Sequence, residues 1–277
     1  VPYAVLAHRG DTDAKLLAEE LERRASAPEV ELVWADELLL DSRFTHRVDE
    51  AGVETEIACA GRRRLDSHEL FGAACRLRHS LPPQFAGAPD TDREYAAMES
   101  YALLLSWLTS LDCPLVNPPS PGGLSGPVLG LLEWLALARA SGLRSRRLQL
   151  AAPGAQPPPA EWQAVTGSLA ASSTATFGVP PPEIPGEGQE LWLEPVEGPA
   201  REALVVGERV FGEVTDEEAT ACVELARRAA CPVLGVHLAA PTADGGETSV
   251  FCGAQTLPNL GREGAVAVAE LLTGETA

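Results

Sequence analysis

At 277 residues, with 45% hydrophobic and 22% charged residues, the chain can bury a full core as one large domain or two to three small ones. Its 21 basic against 40 acidic residues leave a net charge of −19, which argues against nonspecific binding to nucleic acid or anionic membrane and admits a basic partner. No apolar run reaches the roughly 18 residues that span a bilayer, and Val1 to Ala7 lacks the basic flank of a secretory signal, so the cytoplasm is the expected compartment.

The first third alternates strand and helix. "YAVLAH" reads as a buried strand, and "DTDAKLLAEELERR" as a helix with acids at its start and arginines at its end, as the helix dipole prefers. "VELVWAD" and "ACRLRHS" read as further strands of a small, mostly parallel sheet. Residues 90 to 112 carry Asp/Thr capping signals and apolar residues at helical spacing. A short strand, Pro114 to Val116, then runs into Asn117-Pro118-Pro119, and a helix from about Val128 to Ser141 ends at Gly142.

"LRSRRLQLA" is expected to be one strand, and the proline-rich run after it marks a boundary near residue 155. Residues 160 to 190 are the least periodic of the chain. "ELWLEPVEG" and "REALVV" are expected strands, and Gly207-Glu208 turns the chain into "RVFGEV". Thr215 to Glu218 is a capping box opening the helix "EEATACVELARRAA". "VLGVHLAA" and "TSVFCGA" form a second hairpin around Ala243 to Gly246, and a last helix covers about Arg262 to Leu272.

Candidate chemistry is sparse. Lys15 is the only lysine, so any reaction that needs one has a single candidate. The six cysteines form no CxxC pair and show no metal-ligand spacing with the histidines, which points to buried free thiols. "GSLAASSTATFG" lacks the GK[ST] of a phosphate loop. Arg144, Arg146 and Arg147 form one cationic cluster, readable as a solvated or salt-bridged strand edge, and Arg62, Arg63 and Arg64 another, readable as a solvated loop. His237 reads as a core or rim histidine, and a thiolate–imidazole pair with Cys252 lacks a third member. Asp11 and Asp13 fit helix N-caps, or a ligand cleft at the carboxyl end of the first strand.

Taken in order, "ACRLRHSLPP", "DREYAAMESYALLLSWLTSLDCPLVNPP", "LALARASGLRSRRLQLA", "ALVVGERVFGEV" and "VLGVHLAAPTADGGETSVF" resemble the ATP-grasp ligases, the group that includes ribosomal-protein glutamate ligases and peptide maturases. The resemblance implies an α/β, ATP-grasp-like fold. Its parts would be an N-terminal parallel-sheet domain (1–115), a reduced central domain (116–190) and a C-terminal α+β domain (191–277).

It also implies a nucleotide site, because phosphoryl transfer depends on cations placed around an anionic triphosphate. Family members use a lysine after the Asn-Pro segment, a second on a central strand, a hairpin arginine, an Asp, and a Glu-x-Asn that holds magnesium. Here the first lysine maps to Gly126 to Val128 and the second to Val165-Thr166. The arginine maps near Arg201 or Glu202, the Asp to His237, and the Glu-x-Asn to Gly253-Ala254-Gln255.

The resemblance therefore implies a degenerate ATP-grasp protein without catalytic residues, metal or cofactor. It would serve as a noncatalytic subunit for a peptide or a protein partner, such as an active relative or a precursor peptide, and could form the family's homodimer. The alternative is an active ATP- and magnesium-dependent carboxylate–amine ligase with rearranged cations: Arg144, Arg146, Arg147 and Arg201.

Overall fold

The computed structural model describes residues 2–24, 29–50, 52–59, 64–78, 87–151, 162–165, 190–240 and 249–275. The chain opens with β1 (Tyr3–Ala7), α1 (Thr12–Arg24) and β2 (Val30–Trp34), followed by a short α2 (Ala35–Leu40). All five residues of β1 are buried, because the strand lies inside a parallel sheet covered on both faces. β6 (Gly72–Arg76) and β7 (Leu115–Val116) complete that sheet in the order β2-β1-β6-β7. The 20-residue α3 (Asp90–Thr109) precedes β7 and packs Leu104, Trp107 and Leu108 inward.

Between α2 and β6 the strand–helix alternation breaks. β3 (Ser42–Asp49), β4 (Gly52–Cys59) and β5 (Arg64–Asp66) form a separate antiparallel meander. Its inner face carries Phe44, Ile57 and Leu65 in one cross-strand row, with Phe44 edge-on to Trp107 at 5.7 Å. His46 on the same face joins Thr55 and Ser106, each at 2.8 Å. The outer face alternates charge, with Arg47 opposite Glu54 and Arg64 2.8 Å from Glu56. Arg64 thus lies on a strand rather than in a loop, and Arg62 and Arg63 fall outside the described residues.

α4 (Leu131–Ala140) starts three residues later than the sequence predicts. Residues 120 to 128 form a closed turn first, with Ser120 and Gly123 bridged and Ser120 Oγ 3.2 Å from the Gly126 carbonyl. The Gly130 amide donates to Glu133 Oε2 at 2.7 Å, which satisfies one of the free donors at the helix start.

The single expected strand 143–151 is two: β8 (Arg144–Ser145) and β9 (Leu148–Ala151). β9 pairs with β11 (Glu190–Leu193), which pairs with β10 (Gln163–Val165) in a small antiparallel sheet. β8 joins the edge of a five-stranded sheet made with β12 (Glu197–Val206), β13 (Arg209–Phe211), β14 (Val233–Ala240) and β15 (Val250–Gln255), in the order β13-β12-β14-β15-β8. The middle of the chain therefore feeds two sheets.

α5 (Asp216–Arg228) opens on the expected capping box: Thr215 Oγ1 accepts from the Glu218 amide at 3.2 Å and Glu218 Oε2 from the Thr215 amide at 3.0 Å. α4 and α5 cover one face of the five-stranded sheet, over Ala203, Val205, Val236, Leu238 and Phe251. α6 (Gly261–Thr273) covers the lower part of the other face, over Leu204, Val206 and Val233, and its far side meets α1. α6 thus lies between the parallel sheet and the five-stranded sheet. The expected turn at Ala243 to Gly246 lies outside the described residues, while β14 and β15 do pair antiparallel around it.

Candidate functional site

β-Strand register decides which side chains can reach the open cleft. Residues paired across antiparallel strands point to the same face. Glu202, His237 and Gly253 form one row across β12, β14 and β15, and Gly235 with Gln255 lies in the next. All but Gly235 are half-buried, on the part of the sheet face that α6 leaves uncovered. Arg201, paired with Leu238, points the other way, towards α5.

Among the described residues the open row carries a single carboxylate. Glu202 Oε1 accepts a hydrogen bond from Gln255 Nε2 at 2.8 Å. That bond passes over Gly235, where a Cβ would lie 2.5 Å from Glu202 Oε1, 2.9 Å from Pro258 Cβ and 3.0 Å from Gln255 Cγ. Glycine is required there because the Glu202–Gln255 bridge occupies the side-chain space. Gln255 is thereby committed to a protein partner, and Gly253 offers no ligand atom from its side chain.

At the position where the resemblance places the first phosphate-binding lysine, Gly126 is buried at φ +101°. A Cβ there would meet Thr256 at 3.1 Å and the Cys231 thiol at 3.4 Å. Val128 packs beside Gly122 and Gly123 instead of projecting a cation. For the second lysine, Val165 ends β10 and Thr166 lies outside the described residues. In the sequence no lysine, arginine or histidine stands anywhere between Arg147 and Arg201.

Arg146, Arg147 and Arg201, singled out from the sequence, have protein partners. Arg147 donates from Nε and Nη2 to Glu194 Oε1 at 3.0 and 2.7 Å, and its amide donates to Glu194 Oε2 at 3.0 Å. These bonds hold the Glu194 carboxyl below its ordinary value against the opposing effect of burial. Arg146 Nε donates to the Glu194 carbonyl at 2.6 Å, and burial lowers its own pKa. Arg144 sits in β8, close enough for its charge to help lower Glu194.

Arg201 Nη2 lies 2.9 and 2.7 Å from the two Glu218 oxygens and 2.7 Å from Ser249 Oγ. Burial acts to raise the Glu218 carboxyl, and hydrogen bonds from Ser249, the Thr215 backbone and Arg201 outweigh it. The sole lysine, Lys15 of α1, places its ammonium 5.8 Å above the ring of Trp34 at the end of β2.

Two further residues acquire roles that the sequence did not disclose. Asn117, buried at φ +52°, hydrogen-bonds two adjacent strands at one end of the five-stranded sheet: Nδ2 donates to the carbonyls of Val233 and Thr256, both at 2.7 Å, and Oδ1 accepts from the Val233 amide at 2.9 Å. Arg76, buried at the end of β6, pairs with Asp11 at 2.8 Å and Asp13 at 3.4 Å and reaches the Pro258 carbonyl. Asp11 Oδ1 also caps α1 through the Ala14 amide at 3.0 Å, and Asp13 Oδ1 accepts from Gly261 at 3.2 Å. The two aspartates are therefore both N-terminal helix residues and parts of a clasp between α1 and α6.

His237 and Cys252 form no joint site. The register shifts between His237 and Leu238, so that His237 faces Gly253 and Leu238 faces Phe251, leaving Cys252 in the bulge. The Cys252 thiol donates to the Val250 carbonyl at 3.4 Å, and burial raises its pKa. Among the described residues no group of three or more His, Cys, Asp or Glu side chains could hold a metal ion. With His237, Gly253 and a bridged Gln255 on the open face, and Gly126 packed shut, the described residues do not fit a magnesium–nucleotide site.

No protein-family model and no curated protein matches the sequence. Solved structures do match. The macrocyclase MdnC of Microcystis aeruginosa MRC, bound with precursor peptide MdnA, aligns at a TM-score of 0.75 with 14% identity, over 99% of this chain and 100% of that one. A Chryseobacterium gregarium RiPP-associated ATP-grasp ligase, in complex with ADP and a leader and core peptide, aligns at 0.72 with 11% identity, over 100% and 97%. The ATP-grasp ligase PsnB, complexed with a minimal precursor, Mg and ADP, aligns at 0.64 with 12% identity, over 98% and 96%.

The fold is that of the ATP-grasp ligases. Its architecture matches the peptide-maturing type over nearly the full length of both chains, as the order of motifs implies. No helix among the described residues is long and apolar enough to cross a membrane.

Proposed function

We propose that this chain is a noncatalytic ATP-grasp protein that binds a peptide or a partner protein of a peptide-modifying system. The observation that carries this reading is the open row of Glu202, His237 and Gly253, with Gln255 bridged to Glu202. It presents one carboxylate and a histidine where magnesium chemistry needs several acidic oxygens. A fold retained without its phosphate cations leaves its surfaces as the functional element. The matching structures hold precursor peptides, which supports a peptide as the partner class. We keep the division into 1–115, 116–190 and 191–277 as part of this proposal.

Calorimetric titration with magnesium–ATP tests the first half. The expected affinity is millimolar or weaker. A micromolar dissociation constant overturns the reading in favour of an active carboxylate–amine ligase with rearranged cations, for which the nucleotide complexes of the neighbours provide the precedent. Arg144, Arg146, Arg147 and Arg201 would then be the first residues to replace, since they stand on or between strands β8, β9 and β12. Co-purification from the native host at low and high salt tests the second half. Isolation of the chain alone under both conditions counts against a partner.

A further inference from the structure

We propose that the outer face of α3 docks an amphipathic helical segment whose apolar stripe is flanked by lysines or arginines. This deepens the peptide-binding reading and rests on it. α3 packs Ala97, Leu104, Trp107 and Leu108 against the core. At about 100° per residue, Tyr95, Met98 and Ala102 form a separate stripe on the opposite side. Tyr95 is 66% exposed and Met98 58% exposed, and Ala102 is exposed, whereas Leu105 packs against the core.

The spacing of 95, 98 and 102 runs three and then four residues, the pattern by which one helix receives the knobs of another. A helix apolar on two faces has one face more than its own core needs. The single methionine of the chain stands in this stripe, and its flexible thioether suits a surface that must mould to a guest.

The flanks identify the guest. Asp92 and Glu99 border the stripe on one side and Glu94 on the other, all three exposed. The only basic residue of the helix, Arg93, lies towards the core side and pairs with Asp90. A second copy of the chain would bring the same acids against these and add another −19 of charge, so self-pairing is opposed. A helix with basic flanks would meet opposite charge on both sides of its apolar stripe. Helix-against-helix docking of this kind depends on anchors at i, i+3 and i+7, which Tyr95, Met98 and Ala102 supply.

The probe is a labelled synthetic peptide with leucines at alternating three- and four-residue spacing and lysine flanks. A control peptide replaces each lysine with glutamate. Fluorescence anisotropy with the full chain should show binding of the lysine peptide that weakens as salt is raised, and none of the glutamate peptide. A Tyr95→Ser/Met98→Ser variant should bind about tenfold more weakly. Glu94→Gln/Glu99→Gln should lose much of the salt dependence, and this pair keeps the test decisive if the first variant does not fold.

Unchanged binding by both variants overturns the docking site, even though peptide binding elsewhere would leave the broader reading intact. Binding of neither peptide also overturns it. So does a concentration-dependent dimer of the wild type that the Tyr95/Met98 variant lacks, because a second copy would then be the occupant. The ATP titration reads a different site, so its failure and this one are distinguishable.

Discussion

Asn117 pairs with Val233 as though its side chain were a peptide unit of a neighbouring strand, accepting from the Val233 amide at 2.9 Å and donating to the Val233 carbonyl at 2.7 Å. The third bond, to the Thr256 carbonyl, ties in the end of β15. Asparagine also tolerates the positive φ that the turn imposes. Asn117→Ala should therefore cost about 2–4 kcal/mol in chemical denaturation, since three bonds are lost, two of them to the buried Val233 backbone. Asn117→Asp should be worse at neutral pH, because a carboxylate would face two carbonyls. That penalty should shrink on acidification, when a protonated carboxyl can donate. A loss below about 1 kcal/mol for Asn117→Ala would remove its structural role.

The Glu202–Gln255 bridge predicts a coupling. Gly235→Ala places a Cβ 2.5 Å from Glu202 Oε1, and the displacement should cost about 1–3 kcal/mol. In a Glu202→Ala background the same substitution should cost about 1 kcal/mol less. Relief stays partial, because Pro258 remains 2.9 Å away. Strict additivity in the double-mutant cycle would mean that Gly235 is retained for another reason.

Glu194 sets part of the acid limb of stability. Its carboxyl is held below the ordinary 4.5, chiefly by the Arg147 hydrogen bonds. A depressed carboxyl contributes fully above its unfolded value, and that contribution disappears as pH falls through the folded value. Urea midpoints should thus fall on acidification from about pH 5 downwards. Glu194→Gln should be less stable than the wild type at neutral pH and show a shallower acid slope. Parallel slopes would assign the acid limb to other carboxylates.

Thiol reactivity checks the packing of the C-terminal core. Burial pushes the Cys222 and Cys231 thiols up to about 12. At mildly alkaline pH iodoacetamide should leave both unmodified in the folded chain, with half-buried Cys113 and Cys252 labelled first. In denaturant all six should react, as read by mass spectrometry. Early labelling of Cys222 would show that α5 opens readily.

Much of this architecture was legible because local signals agreed with it: the buried run Tyr3 to Ala7, the Thr215 and Glu218 capping box, and Gly207 between β12 and β13. The meander from Ser42 to Asp66 was not read, although Phe44 and His46 against Val53, Thr55 and Ile57 carry a period of two. Charged residues on its outer positions masked that period. Through motif order, His237 and Gly253 to Gln255 were legible as candidate positions. What those positions touch was not. The Glu202–Gln255 bridge depends on register across three strands, and the Arg76 clasp joins residues far apart in the chain. No local pattern encodes either.

The neck at Glu194 has a consequence for how the gene can be cut. The chain enters the small β9–β11 sheet just after Arg147 and leaves it just before Glu194, and these two points are hydrogen-bonded to each other, Glu194 amide to Arg147 carbonyl, at 3.0 Å. Leu148 and Leu193 face each other directly beyond that bond. Entry and exit are therefore neighbours, and Leu148 and Leu193 pack together into the core beside α4 and the five-stranded sheet. Joining Leu148 to Leu193 through a two-residue Asn-Gly turn closes the gap with the geometry of an ordinary hairpin. Such a deletion keeps Leu148 and Leu193 in the core, so that the contribution of residues 149–192 to any binding can be measured by subtraction.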